Sequence, residues 1–175
     1  MRILLLAGLP GTGKSSLGRE LSRLLRAPIL DKDALRETLF GPHWVEYSRT
    51  QDDLCVSMLY EAVRHLARAG SAPLALLDGR TYTRPAALDQ ARQLATEIGA
   101  RLEIIECVCS ERLALERIAS DAGRHPAANR DAELYRRLER EAEPIPEPKR
   151  VVDTSTEPPR TLAERLADEL VAGWG

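Results

Sequence analysis

The chain alternates short apolar runs with longer stretches of helical periodicity. Ile3-Leu4-Leu5-Leu6-Ala7 and Leu74-Ala75-Leu76-Leu77-Asp78 are continuous rather than alternating, which is the pattern of strands buried on both faces of a parallel sheet. Ile29-Leu30, residues 102–109 and Val151-Val152-Asp153 read as three further strands. Between them, residues 16–26 place Leu17, Leu21, Leu24 and Leu25 at helical spacing, and Ala27-Pro28 stops that helix. Residues 51–68 form a long amphipathic helix with Cys55, Met58, Leu59, Ala62, Val63 and Leu66 along its core face. Pro85 opens a helix that carries Leu88, Ala91, Leu94, Ala95 and Ile98 inward, and Gly99 ends it. Ser110 caps the next helix, and residues 131–142 resume as another. After the stiff segment at 144–148, Thr161 and Glu164 predict a capping box for the last helix, which ends near Gly173. Residues 40–49, with Gly41, Pro42, His43, Trp44 and Tyr47, read as an irregular aromatic loop. Strands alternating with helices throughout predict one α/β domain, a parallel sheet with helices on both faces and right-handed crossovers.

In such a sheet the loops at the carboxyl ends of the strands gather the chemistry. The first of them is Gly8-Leu9-Pro10-Gly11-Thr12-Gly13-Lys14-Ser15, which fits the phosphate-cradling pattern G-x-x-x-x-G-K-[ST] and lies between a strand and a helix. Backbone N–H groups must approach a polyphosphate closely, so residues without Cβ are needed at Gly8, Gly11 and Gly13. Lys14 supplies an ammonium for the outer phosphates, Ser15 a hydroxyl for Mg²⁺, and the following helix its positive end. The second loop begins Asp31-Lys32-Asp33-Ala34-Leu35-Arg36, where Asp33 is a candidate both for chemistry and for the cap of a helix starting at Ala34. The third follows Asp78, which sits as a Walker B acid would to help hold Mg²⁺, and carries Arg80 and Arg84. Residues 117–130, with Arg117, Arg124, His125 and Arg130, form a basic segment of broken pattern, which reads either as a solvated basic surface or as a mobile lid over the transferred phosphate.

Composition narrows the class. At 175 residues, 43% hydrophobic and 30% charged, the chain is of globular type, and a net charge of -2 gives no global pull towards nucleic acid or anionic membrane. The N-terminal apolar run is too short for a transmembrane helix and leads straight into the glycine loop, so a cytoplasmic location is expected. Cys55, Cys107 and Cys109 lack zinc-type spacing and are expected to be reduced, mostly buried thiols.

Over nearly its whole length the chain resembles the small P-loop kinases of the ATP-binding AAA-domain kinase type, related to polynucleotide kinase domains and more distantly to adenylylsulfate, gluconate and chloramphenicol kinases. The likeness rests on residues 8–15, Asp33-Ala34-Leu35-Arg36, Leu77-Asp78-Gly79-Arg80, and Glu116-Arg117-Ile118 leading to Arg124 and residues 125–130. It implies a single three-layer domain with a five-stranded parallel sheet in the order 2-3-1-4-5 and a helical lid at about 117–142. It also implies ATP and Mg²⁺ as cofactors. ATP contacts would come from Gly8, Leu9, Pro10, Gly11, Thr12, Gly13, Lys14, Ser15, Ser16, Arg117 and Arg124. Catalysis would fall to Asp33 as base, with Lys14 and Arg124 on the transferred phosphate and Ser15 with Asp78 on the metal. Residues 153–155 would border adenine.

For the acceptor, Arg36, Arg80 and Arg84 suit a phosphorylated group such as a nucleic-acid end, while His43, Trp44, Tyr47 and Tyr82 suit a neutral or aromatic one. The absence of an extended basic patch turns the expectation to a small or short hydroxyl acceptor. A water-activating ATPase is the rival, although Gly79 stands where such proteins usually carry a second acid. A non-catalytic nucleotide sensor is another, and no Asn-Lys-x-Asp segment marks a guanine switch.

Overall fold

Strand β1 (Arg2–Ala7) lies at the centre of a five-stranded, all-parallel sheet whose order is β2-β3-β1-β4-β5. The other strands are β2 (Ile29–Asp31), β3 (Leu74–Asp78), β4 (Arg101–Val108) and β5 (Lys149–Asp153). The helices are α1 (Lys14–Leu25), α2 (Lys32–Trp44), α3 (Arg49–Ala69), α4 (Pro85–Glu97), α5 (Glu111–Ser120), α6 (Ala132–Arg140) and α7 (Pro159–Ala172). The computed structural model describes residues 1–121, 131–146 and 148–174.

The continuous apolar runs are explained by two cores, one on each face. Ile3, Leu5 and Ala7 of β1 pack with α3 and α4 through Val56, Leu59, Val63, Leu88, Ala91 and Leu94. Leu4 and Leu6 point the other way, into α1 and α7 through Leu17, Leu21, Leu162, Leu166 and Leu170. Truncating any of these buried leucines to alanine removes about 2–5 kcal/mol of stability. A small third cluster, Ala114, Ile118 and Tyr135, joins α5 to α6 and rests on Leu9 of the glycine loop.

Four local expectations give way. The side chain that caps α2 is Asp31, whose carboxylate accepts from the N–H groups of Asp33 and Ala34, so Asp33 is released from that duty. Residues 40–44 are helical in part, because α2 runs on to Trp44 past a break at Gly41 (φ 58°), just before Pro42. The Thr161–Glu164 box does not form, since Pro158 takes the N-cap position and Pro159 starts α7 three residues earlier. Met58 is exposed, and Val56 and Tyr60 take its place on the buried face of α3. Among the described residues, no helix is long and apolar enough to cross a membrane.

Candidate active site

The β1–α1 loop wraps tightly at the carboxyl end of the central strand. Gly8, Gly11 and Gly13 all have positive φ (130°, 78° and 82°), and the space beside Gly11 is taken by the Ala114 carbonyl, 2.4 Å from where a Cβ would stand. Gly13 precedes α1 without any side-chain cap, which leaves the first N–H groups of that helix available to an anion. Lys14 Nζ donates to the carbonyls of Gly8 (2.7 Å) and Leu9 (2.8 Å), and Thr12 Oγ1 donates to Leu9 O (2.7 Å). The lysine thus curls across the mouth of its own loop, poised above the cradle.

Arg117 of α5 closes one side of this cradle. Its guanidinium donates to Thr154 Oγ1 (2.9 Å), Thr154 O (2.8 Å) and Gly11 O (3.4 Å), while Thr154 Oγ1 donates to Thr12 O (3.0 Å). Between them lies a cavity of about 340 Å³ lined by Lys14, Ser15, Ser16, Arg117, Asp121 and Thr154. Thr154 is buried and ties the loop after β5 to the glycine loop, a bonding role that its sequence did not announce. Thr154→Val is expected to remove one of three acceptors from Arg117 and the donor to the Thr12 carbonyl, and to cost about 1–3 kcal/mol. Urea unfolding of the ligand-free protein measures this, and an unchanged midpoint would refute the pinning role.

At the carboxyl ends of β2 and β3, Asp31 and Asp78 are register partners. Burial first, and the neighbouring Asp78 second, push the Asp31 carboxyl up to about 6. Asp78 is buried, and its Oδ2 has no hydrogen-bond partner among the described residues. A buried orphan carboxylate oxygen beside a second carboxyl is a good match to a hard divalent cation. Mg²⁺ is such a cation, held by one or two carboxylates and completed by phosphates and water. Asp31 was not singled out from the sequence as a site residue. The signal was present in the Asp-x-Asp spacing of residues 31–33.

Asp33 sits in the first turn of α2 and is held by Arg36 Nη1 (3.0 Å) and Lys32 Nζ (3.5 Å). Both cations continue to Asp52 at the start of α3, Lys32 at 3.0 Å and Arg36 by a close ion pair. Burial holds the Lys32 ammonium below its ordinary value, with Asp33 pulling the other way. Arg36 is buried beneath the Tyr47 ring, 5.5 Å from its centroid. Arg80 pairs with Asp53, and Arg84 with Glu141 just beyond α6. The three arginines assigned to the acceptor are therefore all engaged with carboxylates. Tyr82 lies in the core, so it forms no wall of an acceptor pocket, and Trp44 is largely exposed. Arg124 and Arg130 lie outside the described residues. Burial pushes the Cys107 thiol up to about 12, which makes it a poor nucleophile.

The sheet order, the glycine loop and the acids closing β2 and β3 define a P-loop nucleotide-binding fold of the kinase type. Residues 3–145 match the family model described as AAA domain, and the chain belongs to that family. A nucleotide-binding protein of Stenotrophomonas maltophilia is 32% identical over 133 residues, and a shikimate kinase of Mycobacterium marinum 35% over 98. The matched region covers 67% of this chain and 43% of the first relative, and 54% and 53% for the second, so the chain spans about half the length of these curated relatives or less. Among solved structures, a candidate kinase from Chloroflexus aurantiacus superposes with a TM-score of 0.76 at 24% identity, covering 95% of this chain and 97% of that one. The APS kinase of Mycobacterium tuberculosis, bound to AMPPNP and APS, gives 0.67 at 18% identity, covering 97% and 96%. At these identities the likeness concerns the fold.

Proposed function

We propose that this chain is a kinase domain that moves the γ-phosphate of ATP to a hydroxyl of a small or short acceptor. The observation that carries the reading is Asp33. Its carboxylate is freed from capping by Asp31 and stands on the same sheet edge as Asp78 and the glycine loop. A water-activating ATPase needs no such second carboxylate on α2, and Gly79 follows Asp78 where an ATPase would carry an acid.

In this reading the N–H groups of residues 8–16 bind the phosphates, Lys14 leaves the Gly8 and Leu9 carbonyls for the outer phosphate oxygens, and Arg117 with Thr154 bounds the base. Ser15 and Asp78, with Asp31 beside them, are the residues that would hold Mg²⁺. Bound there, the ion would neutralise charge gathering on the phosphate oxygens. Asp33 orients the acceptor hydroxyl and takes its proton, while Arg36 and Lys32 keep the carboxylate in place. Residues 117–142 act as the lid, and Arg124 is the cation assigned to the transferred phosphate. The similar shikimate kinase and APS kinase support the transferase class without fixing the acceptor. A polynucleotide 5′-hydroxyl kinase is the second acceptor reading, and it draws on Arg36, Arg80 and Arg84. The test is ADP release from Mg-ATP with and without alcohols of varied class. Release that rises with an acceptor is the expected result, release indifferent to every acceptor would favour the ATPase, and tight binding without turnover the sensor.

A further inference from the structure

The side chains around Asp33 are layered by charge. Asp33, Asp52 and Asp53 are 26%, 37% and 51% exposed, whereas their partners Lys32, Arg36 and Arg80 are 13%, 3% and 20% exposed. The cations stand behind, and the carboxylates face outward. Three acids and three bases balance within this cluster, and beside it Asp31 and Asp78 are register partners at the ends of β2 and β3. Asp78 Oδ2, buried and without a hydrogen-bond partner among the described residues, adjoins the same edge, and Asp31 feels both Asp33 and Asp78. The further cation near Asp53, Arg49, is a rim residue at 3.9 Å and is almost wholly solvated, so water screens its charge.

An incoming acceptor therefore meets carboxylate oxygens, which accept hydrogen bonds and repel anions. Among the described residues of this cluster, the guanidinium nitrogens without a hydrogen-bond partner, Arg36 Nε and Nη2 and Arg80 Nε, are themselves buried, so a phosphate or carboxylate would have to displace an aspartate to reach them, and stripping a partner from a buried charge is costly. Hydroxyl groups need displace nothing, since each paired carboxylate keeps lone pairs for further donors. The geometry points to an acceptor with no anionic group, a hydroxyl compound that donates to Asp33, Asp52 and Asp53, and not a phosphorylated or carboxylated one. This rests on the transferase reading above and goes against its nucleic-acid alternative.

The experiment uses matched pairs that differ by one anionic group: glucose and gluconate, benzyl alcohol and 4-(hydroxymethyl)benzoate, thymidine and thymidine 3′-phosphate. Acceptor-dependent ADP release and phosphorylated product are followed with the full chain, Mg²⁺ and ATP. In any pair that is turned over, the uncharged member is expected to have a kcat/KM at least about tenfold higher, because like charges facing each other discriminate strongly. A double variant, Asp52→Asn with Asp53→Asn, is expected to shrink that ratio about tenfold or more by exposing unbalanced cations. Its melting temperature shows whether it folds, and Asp53→Asn alone serves if it does not. Anionic members preferred in the wild type, or a ratio unmoved in the folded variant, would overturn this inference and leave the transferase reading standing. No acceptor raising ADP release in any pair would overturn both.

Discussion

Asp33→Asn is expected to lower kcat by about 10²–10⁴-fold, the range that a positioned general base supplies, while the KM for ATP stays within about threefold of wild type. The substitution keeps shape and removes the proton-accepting charge. Its structural cost is limited by three features. Asp31, not Asp33, caps α2; Asp52 still pairs with both Lys32 and Arg36; and the cavity beside the glycine loop is lined by other residues. Loss of turnover with binding retained is the signature of an interaction made in the transition state. Steady-state kinetics with an active acceptor, alongside AMPPNP affinity and a melting curve, separate the cases. A kcat within tenfold of wild type would remove Asp33 from the chemistry, and a fall in melting temperature that matched the fall in activity would recast it as structural.

The sequence patterns carried the architecture because a strand buried on both faces has to be apolar throughout. Ile3 to Ala7 divides its side chains between two cores, and the uninterrupted run betrayed that placement. The glycine loop was legible for a related reason: positive φ at Gly8, Gly11 and Gly13 leaves little choice of residue. Charge pairing was not legible. Nothing in the spacing of Asp52, Asp53 and Glu141 says that they lie against Arg36, Arg80 and Arg84, because these contacts join elements brought together by the fold. Which aspartate caps α2 was not legible either, for a local reason. Asp31 and Asp33 are equally good caps, and the one that ends β2 in extended backbone takes the part. Tyr82 deceived in another way: a loop aromatic with φ 54° folds back into the core beneath the Asp78 loop, so composition alone placed it on the wrong side.

Gly8→Ala should all but abolish nucleotide binding, weakening AMPPNP–Mg²⁺ affinity by about a hundredfold or more through loss of preorganised backbone donors. Gly8 has φ 130°, a conformation that L side chains rarely adopt, and its Cβ would stand 2.3 Å from the Cys107 carbonyl and 2.9 Å from Thr12 Oγ1. The carbonyl cannot give way easily, since β4 is paired with β1 up to Ala7 and Glu106 on the residue before. The loop must move instead. That movement breaks the bond from Gly8 N to Thr81 O (2.9 Å) and pulls the Gly8 carbonyl from Lys14 Nζ (2.7 Å), so the β3–α4 loop and the lysine both lose their anchor. Backbone strain of this kind also costs about 1–3 kcal/mol of stability. Gly70→Ala is the control, because Gly70 likewise has positive φ (60°) but nothing lies within 4 Å of its added Cβ. It should lose only about 1 kcal/mol of stability from strain and leave nucleotide affinity unchanged. Titration of both variants with AMPPNP and Mg²⁺ decides the matter. If the two glycines behave alike, the close approach of Gly8 to β4 is not what shapes the cradle.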